Sequence, residues 1–264
     1  TTVAPGRGAQ VHAPAVSGDI GQRYTALAQA LLRVLRKAGL QNEPIWVQLV
    51  VVRGDERELH AGLAALLDTA QAEYPQVRGQ LVEVPADWDA SSLTEHLAQD
   101  ATLVANRIRH ESTGRLLRTW RDLAAAPDQR WRPRGVYLIS GGMGGLGRQV
   151  AWHIARHVEQ PVLILLGSAE QGAERSAFLA ELRQAGAVAE YHRVDIAQRQ
   201  AVADRVQQVL ATHGGLHGVM HCAGTLRDGL IQHKTDADMA HVLAPKVAGV
   251  LALQAACQSL SLDQ

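Results

Sequence analysis

Cysteine and aromatic residues are scarce in this chain. Two cysteines, Cys222 and Cys257, are too few for a disulfide framework, which points to a reducing compartment and a cytoplasmic location. One Phe, four Tyr and five Trp among 264 residues leave the core to Leu, Val, Ile and Ala, the usage of buried parallel strands covered by aliphatic helices. An excess of either charge is also absent. The 26 Lys plus Arg balance 26 Asp plus Glu, so no overall field draws the chain to nucleic acid or an anionic membrane. No apolar run approaches the roughly 18 residues that span a bilayer. Residues 1–22 hold no apolar signal core, so neither insertion nor secretion is expected. The composition that remains, 47% hydrophobic and 20% charged, excludes a disordered chain.

Periodicity divides the chain. Residues 1–21 hold Gly, Pro, Ala and Ser without period and read as an N-terminal tether. Leu27, Leu31 and Leu35 at spacing four, closed by Gly39, predict an amphipathic helix over 22–38. A strand over 45–52, a helix over 58–74 and a strand over 79–84 follow. Ser92 with Glu95 then suggests a capping box, and segments 102–109 and 115–120 read as a hairpin. Residues 22–123 thus form one α/β unit without a Gly-rich phosphate loop. Residues 124–134, with Pro127 and Pro133, read as a linker.

From residue 135 the rhythm restarts. Strands are expected at 136–139, 162–166, 188–194 and 216–222. Helices are expected at 146–158, 173–185 and 198–212, with Leu146, Val150, Ile154 and Val158 on one face. Thr235 with Asp238 can cap a last helix running to about Cys257. Alternating strands and helices predict a parallel sheet covered on both faces.

The chemistry concentrates in this second half. Ser140-Gly141-Gly142-Met143-Gly144-Gly145-Leu146-Gly147 joins a strand to a helix. Its glycines permit a sharp turn and close approach of backbone to a pyrophosphate, which then meets the free amides of the helix start. The alternative is a glycine-rich turn that binds nothing. At the end of the next strand an acidic residue would hold the ribose 2′-OH of NAD and a basic one the 2′-phosphate of NADP. Leu166-Gly167-Ser168 offers neither, and Arg148 or Arg175 stands in for the cation or is plain surface charge. Asp195, followed by Ile196, either accepts the adenine amino group or caps the next helix. Cys222, Ala223 and Gly224 are small enough for the backbone to pass beneath a dinucleotide. Asp228 lies in the loop that follows. Lys246, among Val242, Leu243, Val247 and Val250, snorkels to solvent if it has no other task. His217, His221, His233 and His241 are not at a metal-ligand spacing, so no metal is assigned.

Taken together, these segments resemble the ketoreductase domain of modular polyketide synthases, within the short-chain dehydrogenase/reductase superfamily. The matching strings are GVYLISGGMGGLG, VDIA, GVMHCAGTLRDGLI and VLAPKVAGVLAL. Earlier, IWVQLVVV and HAGLAALLDTAQAEYPQVRGQLVEV resemble the family's non-catalytic structural subdomain. The resemblance implies an α/β fold of two Rossmann-like lobes, a truncated structural subdomain and then a doubly wound, parallel-sheet NADPH-binding subdomain over 135–264. It implies NADPH-dependent reduction of a β-ketoacyl thioester borne on the phosphopantetheine of an acyl carrier protein, beside other domains of the same synthase.

In the family a Lys from the P-K-V segment touches the nicotinamide ribose and lowers the pKa of a catalytic Tyr, so Lys246 inherits that role. Asp228 matches an aspartate associated with alcohol configuration, although Leu226-Arg227-Asp228 replaces the usual Leu-Asp-Asp. Ser168 stands where the family carries an Arg for the 2′-phosphate. The family's Ser, Tyr and Asn follow the P-K-V segment and have no counterpart up to Gln264, so the catalytic subdomain is expected to be incomplete at its C-terminus. A non-catalytic scaffold of the same family, and an unrelated NAD-linked dehydrogenase sharing only the glycine loop, are the competing readings.

Overall fold

The computed structural model describes residues 15–54, 60–124, 131–170 and 172–263. Most of the expected tether, the start of the helix expected from residue 58 and most of the expected linker lie outside them. The chain separates into two compact units. One comprises residues up to Leu123 together with Asp228–Ala240, and the other comprises Ala124–Arg227 together with His241–Gln264.

The first unit is built on a four-stranded sheet of order β1-β2-β3-β4, with β1 (Ile45–Val52), β2 (Val77–Val84) and β3 (Arg107–Glu111) parallel and β4 (Gly114–Leu117) antiparallel. Helix α1 (Ile20–Gly39) starts two residues before the expected position, because Asp19 and Gln22 form a capping box there. Helix α2 (Ala64–Glu73) follows a turn at Gly62 and Leu63, so the helix expected over 58–74 is interrupted. Helix α3 (Ala90–Asp100) is capped by Asp89, whose carboxylate accepts the Ser92 amide at 2.7 Å. Ser92 with Glu95 is therefore not the cap. The extended backbone of Asp89 (φ −78°, ψ 172°) places its oxygen at the helix start, and Ser92 already lies inside the helix.

A buried polar cluster fastens the hairpin to α3. Asp100 is fully buried, and its Oδ2 lies 2.8 Å from His110 Nε2. Arg115 Nε lies 3.0 Å from Oδ1 as an ion contact whose angle falls short of a hydrogen bond. Gln80, also buried, donates to the carbonyls of Asp100 at 2.8 Å and Ala105 at 3.0 Å. Residues Asp228–Ala240, expected within the 135–264 unit, pack in the first unit instead. Ile231 is buried there, its amide donates to the Glu73 carboxylate at 2.7 Å, and Gln29 donates to the Asp236 carbonyl at 2.9 Å.

The second unit is a fully parallel sheet of order β7-β6-β5-β8, with β5 (Val136–Ser140), β6 (Val162–Gly167), β7 (Val188–Arg193) and β8 (Gly218–His221). All five side chains of β5 are buried, as a central strand requires. On one face Leu138 and Ile164 pack with Val202, Val206 and Val209 of α6 (Arg199–His213) and with Ala252, Leu253 and Cys257 of α8 (Gly249–Cys257). On the other, Tyr137, Ile139, Leu163 and Leu165 pack with Ile154 of α4 (Gly145–His157) and with Phe178, Leu179 and Leu182 of α5 (Ala173–Gln184). Burying each large aliphatic side chain contributes about 1.5–3 kcal/mol. The doubly wound α/β architecture read from the sequence is the one observed.

Thr235 and Asp238 do cap α7 (Asp236–Leu243), the Asp238 amide reaching Thr235 Oγ1 at 3.1 Å. A π-turn at Ala244–Ala248 then joins α7 to α8. The helical stretch Asp236–Cys257 is long and apolar enough, by length and composition, to cross a membrane, which corrects the expectation that no run approaches that size. Asp236, Asp238 and Lys246 are its charged residues. Its last part sends Ala252, Leu253 and Cys257 into the protein core.

Candidate functional site

In the second sheet the chain runs outward from β5 to β6 and β7, then returns to place β8 on the other side of β5. The carboxyl ends of β5 and β8 therefore flank the switch point at which open α/β sheets hold ligands. The loop from Gly141 to Gly144 leaves β5 there and enters α4.

Three features give this loop the shape of a cradle. Gly141 has φ +65°, and a Cβ on it would lie 2.7 Å from the Cα and amide of Ala223. Only glycine permits that approach of the loop to the end of β8. Gly147 is held as closely, since its Cβ would meet the Gly141 carbonyl at 2.2 Å. Gly145, by contrast, faces open space, with nothing within 4 Å of its Cβ position. Helix α4 begins at N-cap Gly144 with no side-chain cap and no acidic residue in its first turn. Its opening amides and positive dipole end therefore have no partner from a capping side chain or a first-turn carboxylate.

Gly142 is pinned to β6 by its amide, which donates to the Leu166 carbonyl at 3.2 Å. Met143 packs partly into the core, and its carbonyl accepts from Arg148 Nε at 3.0 Å. Leu146, which shares the apolar spacing of Val150, Ile154 and Val158, is 71% exposed. It sits in the first turn, where α4 has not yet reached the sheet, and the buried face is carried by Gly147, Ala151, Ile154 and Ala155.

The end of β8 forms the opposite wall. His221 is inward and its Nδ1 lies 2.6 Å from Ser140 Oγ, while the Ala223 amide contacts the same hydroxyl at 3.4 Å. Burial pushes the His221 pKa down, and the nearby Pro245 carbonyl partly opposes that shift. This carbonyl falls short of hydrogen-bond geometry with Nε2. Burial raises the Cys222 thiol pKa. Lys246 is exposed, on the π-turn, and its Cε lies 3.7 Å from the Cβ position of Gly224. The Lys246 stem thus passes beside the small residues that end β8 while its side chain stays exposed. π-turns of this kind recur at functional sites.

Ser168 is exposed just past β6, and its carbonyl accepts from Arg193 Nε at 3.1 Å. Asp195 is exposed past β7 and accepts the Ala197 amide at 3.0 Å; the N-cap of α6 is Gln198, so Asp195 does not cap that helix. Ile196 is buried beneath Gly249, whose Cβ would meet it at 3.0 Å. Asp228 is exposed and belongs to the stretch grouped with the first unit. Sequence reasoning gave no role to His221, Glu170 or Arg193, and placed Ser140 only as the first residue of the glycine loop. The hydroxyl–imidazole pair joins residues 81 positions apart, and nothing in the local pattern announces it.

The tyrosines occupy structural positions. Burial raises the phenol pKa of Tyr24, Tyr74 and Tyr137, opposite to the shift an activated proton donor needs. Tyr191 donates to the Ala169 carbonyl.

The model of the KR domain family matches residues 135–264. Polyketide synthase PksN of Bacillus subtilis (strain 168) is 35% identical over 92% of the chain and 4% of its own length. A crystal structure of a ketoreductase domain from the bacillaene assembly line superposes with TM-score 0.87, at 29% identity, over 94% of this chain and 60% of that one. The chain belongs to the polyketide-synthase KR domains. Polyketide synthase PksL of the same Bacillus strain, 34% identical over 83% of the chain and 5% of its own length, extends the likeness. A structure of A-type ketoreductases from a modular polyketide synthase matches at TM-score 0.71 and 27% identity, over 92% of this chain and 53% of that one. The chain thus spans a small part of its curated relatives. KR domains have the Rossmann-like fold of the short-chain dehydrogenase/reductase superfamily and bind a nicotinamide dinucleotide. The open space at Gly145 and the uncapped start of α4 fit the pyrophosphate of such a group.

Proposed function

We propose that this KR domain takes part in NADPH-dependent reduction of a β-ketoacyl thioester, presented on the phosphopantetheine of an acyl carrier protein, alongside the other domains of a cytoplasmic synthase. The observation that carries the reading is the position of Lys246 over Gly224, beside a glycine cradle at the switch point. The amides of Gly145, Leu146 and Gly147 hold the pyrophosphate. Gly141, Gly142, Met143 and Gly144 shape the turn that brings them near it. Cys222, Ala223 and Gly224 give a floor low enough for the nicotinamide ribose. Ile196 backs the adenine side, and Asp195 accepts the adenine amino group. Lys246 holds the ribose hydroxyls and places a positive charge beside the carbonyl on which negative charge develops. Bound there, the reduced nicotinamide supplies a hydride. On the family resemblance alone, Asp228 bears on the configuration of the alcohol formed.

The test is turnover of a β-keto thioester surrogate with NADPH by the intact polypeptide that carries this chain. Thioester-dependent NADPH oxidation is expected, and its loss in Lys246→Ala. No turnover at high protein concentration refutes the reductase reading. One observation favours a second reading, a non-catalytic scaffold. The carboxylate of Glu170 pairs with Arg193, whose Nε is held by the Ser168 carbonyl, so the guanidinium nearest Ser168 already has an anionic partner. That reading predicts no dinucleotide binding by calorimetry.

A further inference from the structure

The rim past β6 carries three arginines, and they are not equivalent. Arg148 is committed elsewhere. Its Nε donates to the Met143 carbonyl at 3.0 Å, its Nη2 pairs with Glu174 at 2.7 Å, and it stacks 5.0 Å over Phe178. Arg175, in the first turn of α5, donates to the Glu170 carbonyl at 2.8 Å. Arg193 comes from the end of β7. Its Nε donates to the backbone carbonyl of Ser168 at 3.1 Å, which fixes the guanidinium beside the first residue past β6. Its Nη1 pairs with Glu170 at 2.9 Å. That pair is open to solvent, 62% and 84% exposed, so it is weak and easily exchanged for another anion. The Nε contact goes to backbone and survives such an exchange.

We propose that Arg193, rather than a residue of the β6 loop, reads the 2′-phosphate of NADPH, and that Glu170 is the carboxylate the phosphate displaces. The inference rests on the dinucleotide reading above. A guanidinium held on one edge by Ser168 keeps its other nitrogens in a plane, the geometry a phosphate accepts. Glu170 sets a threshold. A ligand with a bare 2′-hydroxyl cannot replace its charge at Arg193, whereas a dianionic phosphate can.

The experiment is calorimetric titration of the intact polypeptide with NADPH and with NADH. Wild type is expected to bind NADPH more tightly. Arg193→Ala should weaken NADPH about tenfold or more, the worth of one hydrogen bond to a charged group, and leave NADH unchanged. Arg193→Lys should recover part of the preference, and Glu170→Gln should tighten NADPH without affecting NADH. Both side chains are exposed, so the variants should keep the wild-type circular dichroism and melting curve. NADPH preference retained in Arg193→Ala overturns the assignment while sparing the dinucleotide reading. Wild type that binds neither nucleotide overturns both.

Discussion

Gly145→Ala separates fold stability from ligand binding. Gly145 is the first residue of α4, and nothing lies within 4 Å of its Cβ position. An added methyl meets no protein atom and reduces the freedom of the unfolded chain. Stability should therefore stay level or rise, by at most about 1 kcal/mol. That corresponds to a melting temperature higher by roughly 2–5 °C for a unit of this size. The same methyl occupies the space over the opening amides of α4. A pyrophosphate pressed against them would have to withdraw and lose one or two hydrogen bonds to charged oxygens, each worth about 1.5–3 kcal/mol. Dinucleotide affinity should fall by at least about tenfold. Gly141→Ala is the contrasting variant. It places a Cβ 2.7 Å from the backbone of Ala223 at φ +65°, so both stability and binding should drop. Differential scanning calorimetry and equilibrium titration read the two quantities independently. Undiminished dinucleotide affinity in Gly145→Ala would refute the placement of the phosphate at the start of α4.

Other outcomes follow from the described contacts. Asp100→Ala leaves His110 and Arg115 without their buried carboxylate and should destabilise the first unit by about 3–5 kcal/mol, seen as an earlier urea transition that Asp100→Asn only partly shares. The His221 pKa is lowered from 6.5 in the folded state, so as pH falls through that value the unfolded chain takes up a proton that the folded one resists. Stability should be fully present above about pH 6.5 and decline below it, and His221→Gln should flatten this part of the urea midpoint against pH. Burial raises the thiol pKa of Cys222 and Cys257, so a thiol reagent at neutral pH should label the native chain slowly and the urea-unfolded chain fast.

The glycine loop was legible because strand, turn and helix signals meet within a few residues, and each points to the same unit. The alternation of strands and helices likewise gave the doubly wound sheet, and Thr235 with Asp238 gave the start of α7. Local patterns misled where two satisfied the same rule. Ser92 with Glu95 has the spacing of a capping box, yet Asp89 three residues earlier holds the extended backbone and takes the role. Leu146 fits the apolar spacing of α4 but belongs to a first turn not yet over the sheet. Contacts between distant residues had no signature at all. Asp100 with His110 and Arg115, Ser140 with His221, and Ser168 with Arg193 are set by strand order and register. The grouping of Asp228–Ala240 with the first unit depends in the same way on Ile231 and Asp236 finding partners far back in the chain.

The wide turn at Ala244–Ala248, closed by the Gly249 amide on the Ala244 carbonyl, accommodates one residue more than a regular helical turn. Each residue of an α-helix advances by about 100°, so this surplus offsets everything downstream by that angle. It lets the same helical run set Lys246 beside Gly224 and, from a separate phase, present Ala252, Leu253 and Cys257 to the sheet. Deleting a single residue here would smooth the helix into one uniform winding, and that winding would have to give up either the place of Lys246 or the seat of Leu253.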